Sequence, residues 1–163
     1  MRQVAREAAD RFHSSADSAS TGSAPRAAEP PPQASILIVE DEFLVALDIE
    51  TALADAGFEI AGVARSAEEA LELSRQRRPA LIVMDIRLVG KRDGIDAALD
   101  IYRESGIRCI FASAHHDAAT VARAGPAHPV GWLSKPYATS SLVRMVRDFL
   151  RSSGGNSPAA ADQ

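Results

Sequence analysis

Only one cysteine, Cys109, occurs in the 163 residues, so no intrachain disulfide can form, and a reducing cytoplasm fits best. No apolar run approaches membrane-spanning length, and the opening MRQVAREAAD carries charges where a secretory leader would be apolar. Basic residues are not in excess either. The formal net charge is −4, without the clustered positive surface that nucleic acid favours. These absences predict a soluble, cytoplasmic protein with no membrane and no nucleic-acid partner. What is present is an ordinary globular composition, 46% hydrophobic and 25% charged, on a length that allows one domain with its own core.

Two segments read as lying outside that domain. Residues 1–34 are rich in Ala, Ser and Pro and bury too little surface to offset their ordering entropy. Val4, Ala8 and Phe12 form one weak amphipathic stripe within this disordered arm. The tail 152–163, SSGGNSPAAADQ, reads as disordered for the same reason. Both are too short for a further output module, so the expectation is a stand-alone domain over 35–151.

Inside it, apolar runs alternate with helical patterns. SILIV (35–39), FEIAGVA (58–64), ALIVMD (80–85), IRCIFA (107–112) and VGWLS (130–134) read as strands. After the first comes a helix with Val45, Ile49, Ala52, Leu53 and Ala56 on one stripe and Gly57 at its end. Ser66 and Glu69 form a capping box for a helix over 67–77, stopped by Pro79. Asp93 caps a helix over 94–105, with Ile95, Ala98, Leu99 and Tyr102 facing inward and Gly106 closing it. The last helix, over 140–151, buries Leu142, Val146, Phe149 and Leu150. This alternation predicts an α/β fold, a (βα)5 flavodoxin-like doubly wound parallel sheet with strand order 2-1-3-4-5.

In such a sheet a site forms beyond the carboxyl ends of the strands. There the sequence places Glu40, Asp41 and Glu42 after the first strand, Asp85 after the third, Ser113 after the fourth and Lys135 after the fifth. Each has a plain structural alternative. The acids favour a helix N-terminus, Asp85 and Ser113 suit turns, and Lys135 suits a solvated loop. Their agreement at four separate strand ends argues for a site. Acids on neighbouring strands repel unless a cation lies between them, and hard oxygen donors suit Mg²⁺. A carboxylate beside Mg²⁺ and an ammonium can attack phosphorus, giving an acyl phosphate.

With ILIVEDE, LIVMDIRL, DGIDAA, FASAH and GWLSKPY in this order, the chain over 35–151 resembles the receiver domain of two-component response regulators. The resemblance implies that Asp85 accepts a phosphoryl group from a phosphohistidine of a sensor histidine kinase or histidine phosphotransfer protein. It implies that Glu40, Asp41, Asp85 and the backbone carbonyl of Arg87 hold Mg²⁺. Ser113 matches the switch hydroxyl, Lys135 the phosphoryl-pairing amine, and Trp132 the aromatic that changes rotamer. The protein would then be a signalling phosphoacceptor rather than an enzyme, assisting its own phosphotransfer and dephosphorylation and switching an unknown downstream protein.

Several features depart from that pattern or stand beside it. Glu40 replaces the commoner aspartate, a longer arm that suits metal binding through water. The loop IRLVGKRDG is one residue longer than usual and lacks the usual proline. Pro126 and Pro129 predict a short fourth helix. His115 follows Ser113 by two residues and is expected to face the phosphoryl site, where its bulk would slow water attack. Arg144, Arg147 and Arg151 line the last helix, either as a solvated face or as a surface for an acidic partner or a homodimer. Two other function classes are open to this fold. A phosphorylation-independent protein-binding module would not need Asp85, Lys135 and the acidic pair. A flavin electron carrier would need a glycine- and hydroxyl-rich loop where this chain has EDEFLV.

Overall fold

The computed structural model describes residues 34–114 and 117–154, all of them within one compact unit. Its elements are β1 (Ser35–Val39), α1 (Phe43–Asp55), β2 (Glu59–Ala64), α2 (Ala67–Arg77), β3 (Leu81–Met84), α3 (Gly94–Ser105), β4 (Cys109–Ser113), α4 (Ala118–Ala124), β5 (Gly131–Ser134) and α5 (Thr139–Gly154). The five strands are parallel and ordered 2-1-3-4-5, as the alternation predicts. The arm up to residue 33 with its Val4, Ala8 and Phe12 stripe, the pair His115 and His116, and everything after 154 lie outside the described residues.

The period of two along each strand separates two apolar clusters. Leu37, Val39, Ile82, Met84 and Phe111 point to the face covered by α2, α3 and α4. Ile36, Ile38, Val83, Ile110 and Leu133 point to the face covered by α1 and α5. Leu53 of α1 is wholly buried in the second cluster, and truncating such a leucine to alanine costs roughly 2–5 kcal/mol.

Some local readings need correction. Ser66 Oγ accepts the Glu69 N–H at 3.2 Å, but the Glu69 carboxylate turns back to the N–H of Arg65, at 2.6 Å, so the box at α2 is only half a box. The inward face of α3 is built from Gly94, Ile95, Ala97, Ala98 and Ile101, with Leu99 and Tyr102 only half-buried. β4 starts at Cys109 rather than Ile107; just before it the Arg108 guanidinium donates to the carbonyls of His128 and Pro129 (2.6 and 3.3 Å). Within α5, Leu142 and Val146 are buried, while Phe149 and Leu150 are partly so.

The two ends that carry prolines and serines also differ. α4 has seven residues and passes into a 3-10 turn, Gly125–Ala127. Pro126 has no N–H for the α-helical ladder, so the chain tightens there and leaves through His128 at φ 48°. α5 runs on to Gly154, into the segment read as tail. Its last turn is closed by Ser152 and Ser153, whose hydroxyls both return to the Phe149 carbonyl (2.7 and 3.0 Å).

Candidate functional site

Strand register builds the site. Val39 of β1 lies opposite Met84 of β3, so the next residues, Glu40 and Asp85, leave the sheet side by side. The Asp85 N–H donates to the Val39 carbonyl at 2.9 Å and locks that alignment. On the other side Ser113 pairs with Ser134, and the Lys135 N–H donates to the Ser113 carbonyl at 3.0 Å. Four strands thus deliver Glu40, Asp85, Ser113 and Lys135 to one rim. Glu40, Asp85 and Ser113 are nearly inaccessible, at 2%, 7% and 3% exposure.

Lys135 stands between the acids. Its Nζ donates to Glu40 Oε2 at 2.7 Å and to Asp85 Oδ2 at 3.0 Å. The remaining oxygens are met by backbone: the Glu42 N–H lies 3.3 Å from Glu40 Oε1, and the Arg87 N–H lies 3.3 Å from Asp85 Oδ1. Burial pushes the Glu40 carboxyl above its ordinary range; the Lys135 bond opposes that shift and the Asp85 charge adds to it. Burial also works against the Lys135 ammonium, but the bonds to Glu40 and Asp85 outweigh it and its pKa is raised. Lys135 is therefore charged at neutral pH.

Carboxylate oxygens of Glu40, Asp41 and Asp85 fall within 4.8 Å of one another. Three carboxylates facing one ammonium leave a formal excess of two negative charges at a cluster made wholly of hard oxygen donors. That donor set and charge fit a divalent cation such as Mg²⁺. Arg65 braces the outer acid from β2's end, its guanidinium donating to the Asp41 carbonyl at 3.1 Å.

Two neighbours complete the surroundings. Trp132 of β5 stacks on Phe111 of β4, ring centres 4.6 Å apart. Gly94, the first residue of α3, packs against the loop that begins at Asp85 so closely that a Cβ there would lie 1.9 Å from the Asp85 carbonyl oxygen. The strand ends name Glu40, Asp41, Glu42, Asp85, Ser113 and Lys135. The carboxylates of Glu40, Asp41 and Asp85 cluster beside Lys135, whereas Glu42 is exposed at the start of α1. Arg87, which the resemblance adds, turns its N–H to Asp85. Reasoning from the strand ends misses the demand at Gly94, whose only sequence signal is the Asp-Gly pair at 93–94. It also misses the Lys135–Glu40 contact, because the residues are remote in the chain.

The family model for the response regulator receiver domain matches residues 36–147. The chain is 36% identical over 111 residues to the transcriptional regulatory protein PdtaR of Mycobacterium tuberculosis, a match covering 68% of this chain and 54% of that protein. It thus spans about half the length of that relative. It is 30% identical to the chemotaxis protein CheY of Thermotoga maritima, over 68% of this chain and 92% of CheY. Among solved structures, the signal receiver domain of a modulated diguanylate cyclase from Desulfovibrio desulfuricans superposes with a TM-score of 0.69 at 30% identity, covering 76% of this chain and 98% of that one. The aligned carboxylates, the parallel sheet and these matches agree, and the chain belongs to the response regulator receiver domain family.

Proposed function

We propose that this domain takes a phosphoryl group onto Asp85 from a phosphohistidine of a sensor kinase or histidine phosphotransfer protein. The observation that carries the reading is the nearly inaccessible Asp85 carboxylate, 3.0 Å from a charged lysine and beside two further acids. A carboxylate there is a nucleophile whose product charge already has a counter-ion.

In this reading an Asp85 oxygen forms the new bond to phosphorus as the P–N bond to the donor imidazole breaks. Lys135 leaves the acids and pairs with a phosphoryl oxygen, and the Ser113 hydroxyl donates to another. Asp41, Asp85 and the Arg87 carbonyl would hold Mg²⁺, with Glu40 acting through water. The metal would offset charge on the transferring group. Trp132 would report a rearrangement of Ser113 one strand away, a reading that its stacking on Phe111 of the same strand as Ser113 supports. Phe43 and Leu44, at 67% and 75% exposure directly after Glu42, support a protein rather than a small molecule as donor. Arg144, Arg147 and Arg151 stand exposed along α5 and suit an acidic surface on a downstream protein or a second copy.

Incubation with Mg²⁺ and acetyl phosphate, followed by intact mass, tests the proposal. One added phosphoryl group in wild type and none in Asp85→Ala is the expected result. Where no adduct forms but Trp132 fluorescence still responds to Mg²⁺, the donor must be a kinase. Absence of both signals would leave the phosphorylation-independent binding module.

A further inference from the structure

Arg123 of α4 grips the first turn of α3. Its Nη1 donates to Asp93 Oδ2 at 2.6 Å, while Nη2 donates to Asp93 Oδ1 at 2.8 Å and to Asp96 Oδ1 at 2.7 Å. These two acids are also the capping box of α3. The Asp96 N–H donates to Asp93 Oδ1 at 3.0 Å, and the Asp93 N–H donates to Asp96 Oδ2 at 3.2 Å. The groups that close the helix end are therefore the groups that anchor the arginine.

The same turn is seated on the loop that begins at Asp85. Gly94 donates its N–H to the Ile86 carbonyl at 2.8 Å, and its α-carbon sits where a Cβ would strike the Asp85 carbonyl. From within that loop, Arg92 reaches forward to the Asp96 carbonyl at 3.3 Å and to the Asp100 carboxylate. The first turn of α3 is thus held from two sides, by the loop's own arginine and by one from α4. Isolated surface ion pairs do little. A planar fork spread over two carboxylates that are themselves fixed by backbone bonds has a defined geometry to lose.

We infer that Arg123 is a positioning residue for the loop of Asp85: by holding the Asp93–Asp96 capping box it fixes the backbone at Asp85 and Ile86, and it ties α4 to that loop. The functional consequence rests on Asp85 being the acceptor; the mechanical coupling does not. A perturbation at the loop then moves α4, and a partner bound to α4 alters the loop by the same free energy.

Amide hydrogen exchange on the phosphate-free, metal-free protein tests the coupling. In Arg123→Met the amides of residues 86–94 should exchange about threefold or more faster than in wild type, with Arg123→Lys, which keeps the charge without the fork, in between. Acceleration confined to residues 118–127 would overturn the inference, since a purely local tie would loosen α4 alone. Should Arg123→Met not fold, Asp96→Asn serves, because its amide oxygen can still accept from the Asp93 N–H. Faster exchange at residues 86–94 of that variant is expected, and acceleration confined to residues 118–127 would overturn the coupling. Acetyl phosphate uptake by the same proteins separates the two readings. No uptake in wild type together with no Trp132 fluorescence response to Mg²⁺ counts against Asp85 as acceptor, while the exchange pattern decides the coupling independently.

Discussion

Lys135 and Glu40 meet across the top of the sheet at 2.7 Å, slightly closer than Lys135 and Asp85 at 3.0 Å. The lysine is thus the counter-ion of buried Glu40 as well as of Asp85. Lys135→Met should destabilise the domain at pH 7 by about 2–4 kcal/mol, because it leaves buried carboxylates uncompensated. Urea denaturation measures this, and added Mg²⁺ should recover part of the loss.

Glu40→Gln should act in the opposite sense. Burial raises the Glu40 pKa in the folded state, so the fold prefers the protonated form. The stability contribution is fully present below the unfolded value near 4.5 and is lost as pH rises through the raised folded value. The variant should flatten this decline and be the more stable protein at pH 7 without metal. Equilibrium unfolding between pH 4 and 8 checks it.

Divalent metal should raise the melting temperature. At ten times its dissociation constant a ligand specific for the folded state adds about 1.4 kcal/mol, which for a domain of this size is roughly 5 °C. Asp85→Asn with Asp41→Asn should abolish the shift, read by differential scanning fluorimetry with Mg²⁺ against the same ionic strength of Na⁺.

Gly94→Ala and Gly106→Ala should rank clearly. At Gly94 the new Cβ meets the Asp85 carbonyl at 1.9 Å, and backbone must move; the cost is about 3 kcal/mol or more, with reduced phosphoryl uptake. Gly106 has φ 71° and open space around it, so alanine there costs only backbone strain, about 1 kcal/mol. Chemical denaturation of both variants decides the order.

Acid should release α4 from α3. Burial works to raise the Asp93 pKa, but the Arg123 fork and backbone N–H groups outweigh it, and the folded value is lowered. Its contribution is present above the unfolded value near 3.8 and is lost as pH falls through the depressed folded value. The stability difference between wild type and Arg123→Met should therefore persist at pH 6 and vanish in that acid window.

The sheet and its rim were legible because each buried strand is a short apolar run cut off by a polar residue, and the terminators are the site. SILIV stops at Glu40 and LIVM at Asp85 for the same physical reason: a buried carboxylate needs a counter-charge, and Lys135 supplies it at the rim of the sheet. Surface relations were not legible. Arg123 reads as one more solvated charge, since its partners lie 27 and 30 positions away. On α3, helical spacing from Ile95 points Ala98, Leu99 and Tyr102 inward, whereas Ala97 and Ile101 are buried and Leu99 and Tyr102 are only half-buried.

The sheet also acts as a partition. Because the α1–α5 cluster and the α2–α3–α4 cluster share strands but not side chains, substitutions in one, such as at Leu53, should combine additively with those in the other, such as at Ile101. Selection can then rewrite the surface over one cluster while the packing under the other stays intact. Divergence of one face need not drag the opposite face along with it.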